Sequence, residues 1–129
     1  MISADTNVIV RLLTGDDPAQ LKRVKALFSR EDVLVTPTVL LECEWVLRYA
    51  YRFKPSEIVR AFEFLFGLPN VYPQEPGVIL TAIEWYKQGL DFADALHLAK
   101  SQEAEAFVTF DKKLVRVASR SSNIPVKEP

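Results

Sequence analysis

The stretch 32-DVLVTPTVLLECEWVLRYAYRF-53 joins a short strand to a long helix. Its first part, 32-DVLVTP-37, has the β-branched residues of a buried strand and ends at a proline, whereas 38–53 is apolar around most of a helical circumference. The same alternation of strands and helices continues on both sides along the chain. It predicts the α/β class, with a mainly parallel central sheet covered by helices on both faces.

On the N-terminal side, the chain alternates in the same way. Residues 1–4 form a short apolar start, and 6-TNVIVRLLTG-15 predicts a helix that ends at Gly15, since glycine readily adopts the left-handed conformation after a helix. Asp17 and Pro18 then predict the start of a second helix, with the aspartate as its cap and the proline in its first turn.

On the C-terminal side, Pro55 predicts the start of another helix. Three prolines and two glycines make 67-GLPNVYPQEPG-77 a connection, with room for a few strand residues around Val71. Because helices flank this connection, we interpret it as a turn rather than a domain linker. The remaining segments alternate again, with predicted helices at 78–87, 91–101 and 112–119 and predicted strands at 106–110 and 124–127.

Length and composition predict one soluble domain that spans residues 1–129. A chain of 129 residues is short for two independent domains of roughly 100–200 residues, and a composition of 49% hydrophobic and 26% charged residues is globular. No apolar run approaches the ~20 residues of a membrane helix, and no secretion signal precedes Asp5. With Cys43 as the single cysteine, we expect a reducing, cytoplasmic location and no membrane partner.

Two aspartates stand at the carboxyl ends of predicted strands. Asp5 follows the first strand, Asp111 follows 106-AFVTF-110, and each opens a helix. In an open parallel sheet, ligands bind in the crevice beyond these strand ends, whereas an aspartate at such a turn also commonly caps the helix. Capping is the more common role for one such residue, but the matching placement of two favours a shared site.

The predicted helix at 38–53 carries two further acids, Glu42 and Glu44, which project about 200° apart around its axis. Only one of them can face inward. Glu42 is either a solvated side chain or, because this helix has little polar surface, the acid that faces the interior.

The stretch 89-GLDFADALHLAKS-101 predicts a largely apolar helix with an acid in its first turn. Asp91 is the candidate N-cap, and Asp94 follows it where the helix dipole favours an anion. The apolar residues around Asp94 suggest burial of the whole helix, so its carboxylate would need a cation or several hydrogen-bond donors. His97 is the only histidine, and a lone histidine is more often structural than catalytic.

Four acids from separate segments therefore indicate a shared site for a divalent ion: Asp5, Glu42, Asp94 and Asp111. Oxygen ligands without a cluster of histidines or cysteines favour Mg²⁺ or Mn²⁺ over Zn²⁺. One histidine cannot supply the paired imidazoles of a metal-free ribonuclease mechanism. If phosphodiester chemistry occurs, a metal ion has to carry it.

These motifs together resemble those of the PIN domain family, and most closely the VapC-type toxins of toxin–antitoxin pairs. The resemblance covers nearly the whole chain and implies a three-layer α/β/α domain with a parallel sheet. It also implies a Mg²⁺- or Mn²⁺-dependent endoribonuclease that forms a homodimer and is inhibited by a small antitoxin protein. It rests on Asp5-Thr6-Asn7, Glu42 in TVLLECEWVL, Asp94 in DFADALHLA and Thr109-Phe110-Asp111 in FVTFDKKL.

The resemblance also implies roles for individual residues. The catalytic acids and metal ligands would be Asp5, Glu42, Asp94 and Asp111, with Thr6, Asn7 and Thr109 as supporting polar residues. Asp91 lies outside this set of four acids, as an N-cap or a further supporting group.

The formal net charge of −1 gives no general attraction for RNA, so RNA binding would depend on local basic residues or on metal ions. Most surface lysines and arginines simply solvate a helix face. Lys112 and Lys113 are the best candidates for RNA contacts because they adjoin Asp111, and Arg11 is a further candidate.

Other hypotheses explain fewer of these residues. A catalytically inert PIN-like module that only binds RNA or protein would be favoured if one of the four acids were missing, and all four are present. A phosphate-accepting receiver domain would need an aspartate where 32-DVLVTP-37 ends in Thr-Pro. A glycosidase would use two carboxylates and leave the others without a role.

Overall fold

The computed structural model describes all 129 residues, which form two compact units, Met1–Pro76 and Gly77–Pro129. Each unit has its own parallel strands and its own helices. The α/β class and the parallel sheet predicted from the sequence are confirmed.

The first unit contains a three-stranded parallel sheet in the order β1-β2-β3. Val33 of the central strand pairs with Ile2 on one side and with Val71 on the other. Two helices connect each strand to the next. The elements are β1 (Ile2–Ser3), α1 (Thr6–Thr14), α2 (Pro18–Arg30), β2 (Val33–Val35), α3 (Pro37–Tyr49), α4 (Pro55–Gly67) and β3 (Val71–Pro73).

Local capping residues determine where the first helices begin and end. Gly15 follows α1 with a φ of 64°, the left-handed conformation that glycine adopts without steric cost. The side chain of Asp17 accepts a hydrogen bond from the backbone N–H of Gln20 at the start of α2. Thr36 is the N-cap of α3, whose first residue is Pro37. The predicted boundaries at Gly15 and at Asp17 with Pro18 are confirmed, whereas α3 begins one residue before the predicted start at residue 38.

Helix α3 differs from the prediction at its C-terminal end. It ends at Tyr49 rather than at residue 53, because Arg52 has a φ of 60° and the Phe53 N–H turns back to the Leu47 carbonyl at 3.0 Å. The few strand residues expected around Val71 within the connection at 67–77 are present as β3, which completes the sheet beside β2.

The second unit begins in α5 (Pro76–Lys87) and contains a two-stranded parallel sheet in which Phe107 pairs with Val126. Trp85 of α5 donates its indole N–H to the Ser121 carbonyl at 3.1 Å. The remaining elements are α6 (Phe92–Ala99), β4 (Phe107–Val108), α7 (Lys112–Ala118) and β5 (Val126–Lys127).

Both strands of the second unit are shorter than predicted. Strand β4 ends at Val108 because the Thr109 hydroxyl accepts the Asp111 N–H at 3.0 Å, which turns the chain into α7. Phe110 in this turn is 81% exposed, so an apolar residue here does not indicate a longer buried strand.

None of the seven helices combines the length and the apolar composition that crossing a membrane requires.

Candidate functional site

Asp5 lies at the carboxyl end of β1 and is the N-cap of α1. Its Oδ1 accepts a hydrogen bond from the Thr6 N–H at 2.8 Å, yet the residue remains exposed. A carboxylate has two oxygens with several lone pairs, so capping leaves acceptor capacity for a ligand. Asp5 can therefore cap the helix and bind a ligand at the same time.

Thr6 connects Asp5 to Glu42. Its side chain is buried, and its hydroxyl donates a hydrogen bond to Oε1 of Glu42, 36 positions along the chain. This contact joins the start of α1 to the second turn of α3 and holds an exposed glutamate beside the exposed aspartate. Thr6 thus positions the Glu42 side chain through a specific hydrogen bond.

These residues line an open cavity of about 350 Å³, hereafter the acidic cavity. Asn7 is exposed at its edge, so the polar residues of the Asp5-Thr6-Asn7 motif all reach this space. Arg11 and Tyr51 line the same cavity, and they are its only cationic side chain and its only phenolic side chain.

Cys43 is buried near the acidic cavity, and the pKa of its thiol responds to the negative charges there. The thiol is fully buried, and this burial, with smaller contributions from the negative charges of Glu42 and Asp5, raises its pKa to about 12. Its thiol is therefore protonated at neutral pH and is not a nucleophile. Both carboxylates therefore lie close enough to the same sulfur to contribute to the negative potential around it.

The acid that α3 buries is Glu44, not Glu42. Glu44 is 2% exposed, and Arg48 binds its carboxylate through two nitrogens, at 2.7 and 3.2 Å. Of the two alternatives for Glu42, the solvated side chain is therefore the one that the structure has, and the inward-facing acid is wrong. The sequence contains the relevant signal, because a glutamate and an arginine four positions apart lie on the same helical face.

In the second unit, Asp91 is the N-cap of α6, as predicted. Its Oδ2 accepts the Asp94 N–H at 3.3 Å, and the residue is exposed. Asp91 therefore orders the first turn that carries Asp94.

Asp94 is partly buried, and its carboxylate accepts no hydrogen bond from the chain. Burial raises its pKa, and the neighbouring charges of Asp91 and Asp111 raise it further, whereas His97 acts in the opposite direction. The prediction that α6 is buried on every side is wrong, because His97 is exposed beside five buried apolar residues. Asp94 and Asp111 nevertheless lie close enough to repel each other when both are ionised.

Asp111 has the same relation to α7 that Asp5 has to α1. It is exposed, and its Oδ1 caps the helix by accepting the Leu114 N–H at 3.0 Å. The Thr109 hydroxyl accepts a hydrogen bond from the Asp111 backbone N–H at 3.0 Å. Lys112 and Lys113 follow as exposed residues of the first turn.

The donors in both units are suited to a hard divalent cation. Carboxylate oxygens dominate, and the one cysteine is buried and protonated. In neither unit alone do three or more histidine, cysteine, aspartate or glutamate side chains form a group that could hold a metal ion. Magnesium, however, is commonly held by one or two carboxylates with water and substrate phosphates, and pairs of this kind are what each unit provides.

Comparison with known proteins identifies the family. No curated protein matches the chain with significant similarity. The sequence model of the PIN domain matches residues 2–120, a range that includes both acidic pairs and extends through both units. The chain therefore belongs to the PIN domain family, whose members are generally nucleases.

Proposed function

We propose that this protein is a metal-dependent endoribonuclease, a VapC-type toxin of a toxin–antitoxin pair. The observation that carries the proposal is the Asp5–Thr6–Glu42 arrangement in the acidic cavity, in a chain that belongs to a family of nucleases. The backbone N–H of Thr6 holds the exposed carboxylate of Asp5, its hydroxyl holds that of Glu42, and two negative charges held near each other repel. A bound cation would remove that repulsion.

In this proposal, four acids act together as metal ligands and catalytic residues: Asp5, Glu42, Asp94 and Asp111. When bound, Mg²⁺ or Mn²⁺ would supply an activated water and neutralise charge on the scissile phosphate. Thr6 orients Glu42, and Thr109 orients the backbone of Asp111. Asn7, exposed at the acidic cavity, would donate its amide to a substrate oxygen.

The proposed hydrolysis has a defined product chemistry. The chain has one histidine, so it lacks the paired imidazoles that activate a 2′-hydroxyl without metal. Attack by water would leave 5′-phosphate and 3′-hydroxyl ends. Ends that carry a cyclic phosphate would contradict this mechanism.

The experiment that tests the proposal is cleavage of a mixed RNA pool with and without Mg²⁺. Asp5→Asn keeps the helix cap but removes the charge, so we expect at least a roughly hundredfold loss of cleavage, because metal-ion catalysis contributes several kcal/mol. Asp17→Asn is the matched control, since Asp17 caps α2 in the same way and lies outside the acidic cavity. Equal activity of wild type and Asp5→Asn would refute the proposed role of Asp5.

Three partners belong to the proposal: RNA, a second copy of the chain and a small antitoxin protein. Basic side chains, among them the partly exposed Arg11 and the exposed Lys112 and Lys113, would contact RNA phosphates. Trp45 and Tyr49 are each 56% exposed on α3, and exposed aromatics of this kind favour a subunit contact. Sedimentation equilibrium of the wild type and of Trp45→Glu tests the homodimer, which the substitution should convert to monomer.

A gene for a short DNA-binding protein next to the gene for this chain would support the assignment as a toxin. The single cysteine, which is free and buried, agrees with the proposed cytoplasmic location, because such a compartment keeps thiols reduced.

A second candidate function is a catalytically inert PIN module that binds RNA or protein. The observation that favours it is that neither unit alone groups three ligands for a metal ion. Calorimetric titration with Mn²⁺ separates the two candidates. An inert module would bind RNA, show no saturable Mn²⁺ site and cleave nothing.

A further inference from the structure

A second cavity of about 550 Å³, hereafter the basic cavity, lies along α1 and α2. Three arginines line it, namely Arg11, Arg23 and Arg30, and no aspartate or glutamate does. Gln20 and Asn7 add amide groups to its wall. Local positive charge of this kind is unexpected in a protein whose formal net charge is −1.

Two of these arginines are available for a ligand. Arg23 and Arg30 are exposed and form no hydrogen bond or ion pair within the chain. They lie seven positions apart on α2, which is two helical turns or roughly 10.5 Å along the axis. This separation corresponds to about three nucleotide steps at the roughly 3.4 Å rise of a stacked strand, so each guanidinium can meet a different phosphate.

The basic cavity adjoins the acidic cavity. Asn7 and Arg11 line both of them. The guanidinium of Arg11 is held at this junction by Gln20 at 2.7 Å, Asp16 at 3.1 Å and Tyr51 at 3.0 Å. Its Nη2 has no partner in the protein, so it can still donate to a phosphate oxygen.

The charge of Arg11 is balanced by Asp16, so the net positive charge of the basic cavity comes from Arg23 and Arg30. An RNA strand that approaches Asp5 and Glu42 is repelled by their carboxylates. Attraction from neighbouring arginines offsets this repulsion and fixes the direction of the strand.

We propose that the basic cavity binds the phosphates of single-stranded RNA next to the bond that is cut in the acidic cavity. Arg23 and Arg30 are the main phosphate contacts, and Arg11 contacts the strand where the two cavities meet. This inference rests on the proposed function. It adds a binding site on α2 and residues that the acidic motifs do not include. Single-stranded RNA is favoured over an acidic protein segment because the basic cavity shares Asn7 and Arg11 with a cavity that is lined by candidate catalytic acids.

The test is binding rather than cleavage, measured without divalent ions by fluorescence anisotropy of a labelled single-stranded RNA over a series of NaCl concentrations. The variant is Arg23→Gln with Arg30→Gln. The matched control is Lys22→Gln with Lys25→Gln, which removes the same charge from exposed positions of the same helix outside the basic cavity. Circular dichroism verifies that each variant is folded.

We expect the slope of log K against log salt to become shallower by about 0.7 for each of the two lost phosphate contacts in the arginine variant. The lysine variant should change the slope by much less. Equal changes in the two variants, or no change in either, would overturn the proposal. So would a loss of affinity for poly-glutamate alone with RNA binding unchanged, because the cavity would then accept an acidic protein segment.

This measurement separates the inference from the proposed function. If the protein binds RNA through Arg23 and Arg30 but Asp5→Asn cleaves as well as wild type, the proposed nuclease mechanism fails and the phosphate site remains. If cleavage depends on Asp5 and the arginine variant binds normally, the phosphate site fails alone.

Discussion

At the scale of the residue, Glu42 and Glu44 show how two positions on one helix separate two roles. Glu44 is buried and needs its partner Arg48, because an uncompensated buried carboxylate is costly. Glu42 is exposed and is held in place by a single hydroxyl, from Thr6. One acid therefore contributes to stability, and the other is available for a ligand.

We expect opposite effects from the two matched substitutions at these positions. Glu44→Gln should lower the free energy of unfolding by about 1–3 kcal/mol, the range for losing a charged partner in a buried hydrogen bond, and leave cleavage intact below the melting temperature. Glu42→Gln should change stability by less than about 0.5 kcal/mol and abolish Mg²⁺-dependent cleavage. Urea unfolding and the RNA cleavage assay measure the two effects. If Glu44→Gln alone abolished cleavage, the assignment of the two acids would have to be exchanged.

Tyr51 is a second residue with a defined electrostatic role. Its hydroxyl donates to Asp16 at 2.5 Å and accepts a hydrogen bond from Arg11. The hydrogen bond from Tyr51 is the main reason that the pKa of Asp16 lies below its ordinary value of 3.8, with smaller contributions from Thr14 and Arg11. Because the folded pKa is depressed, the stabilisation is present above pH 3.8 and is lost as the pH falls through the folded pKa.

Tyr51→Phe should therefore reduce stability near neutral pH, and the difference from wild type should shrink as the pH falls below 3.8. Urea unfolding over a pH series measures this difference. Tyr72→Phe is the control, because Tyr72 is exposed and its hydroxyl forms no hydrogen bond. A stability difference for Tyr51→Phe that stays constant at all pH values would contradict the role given to Asp16.

At the scale of the element, each acidic pair includes an aspartate that begins a helix at the end of a strand. Asp5 caps α1 after β1, and Asp111 caps α7 after β4. The N-terminus of a helix carries partial positive charge, which attracts a negatively charged group. The turn from strand to helix thus places a carboxylate at the strand end, next to free backbone N–H groups.

The two roles of Asp111 can be separated by substitution. Asp111→Asn keeps a cap of similar strength, so we expect wild-type thermal stability with loss of metal-dependent cleavage. Asp111→Ala should lose cleavage and also about 1 kcal/mol of stability, because the Leu114 N–H loses its acceptor. Thermal unfolding and cleavage of the two variants provide the measurement. Full cleavage by Asp111→Asn would show that Asp111 acts only as a cap.

At the scale of the whole molecule, the PIN family match runs through both units and includes an acidic pair from each. Asp5 and Glu42 belong to the first unit, and Asp94 and Asp111 belong to the second. Within each pair, the carboxylates carry charges that repel. Divalent cations should relieve this repulsion and stabilise the folded chain.

We expect Mn²⁺ or Mg²⁺ to raise the melting temperature, with a stabilisation of about 2.7 kcal/mol when the free ion is at a hundred times its Kd. Asp5→Asn and Asp94→Asn should each reduce this effect if acids of both units act as ligands. Sodium chloride at matched ionic strength is the control, because screening alone would also weaken repulsion. A melting temperature that responds equally to Na⁺ and Mg²⁺ would argue against a metal site.

The sequence by itself determined the order of elements and most of their boundaries. Gly15, Asp17 with Pro18, and Thr36 with Pro37 act through hydrogen bonds or dihedral angles within a few positions, so their effect can be inferred locally. Asp5, Asp94 and Asp111 could be named for the same reason, since strand ends and helix starts are local features, whereas Glu42 was named from the apolar helix around it and from the family resemblance.

Only the tertiary structure decided which side chains meet. The Thr6–Glu42 hydrogen bond joins residues 36 positions apart, and the Arg11–Tyr51 hydrogen bond joins residues 40 positions apart. The burial of Glu44 and the position of the basic cavity beside the acidic cavity likewise depend on how α1 packs against α2 and α3. Contacts of this kind follow from packing between distant segments, which a local pattern of residues does not encode.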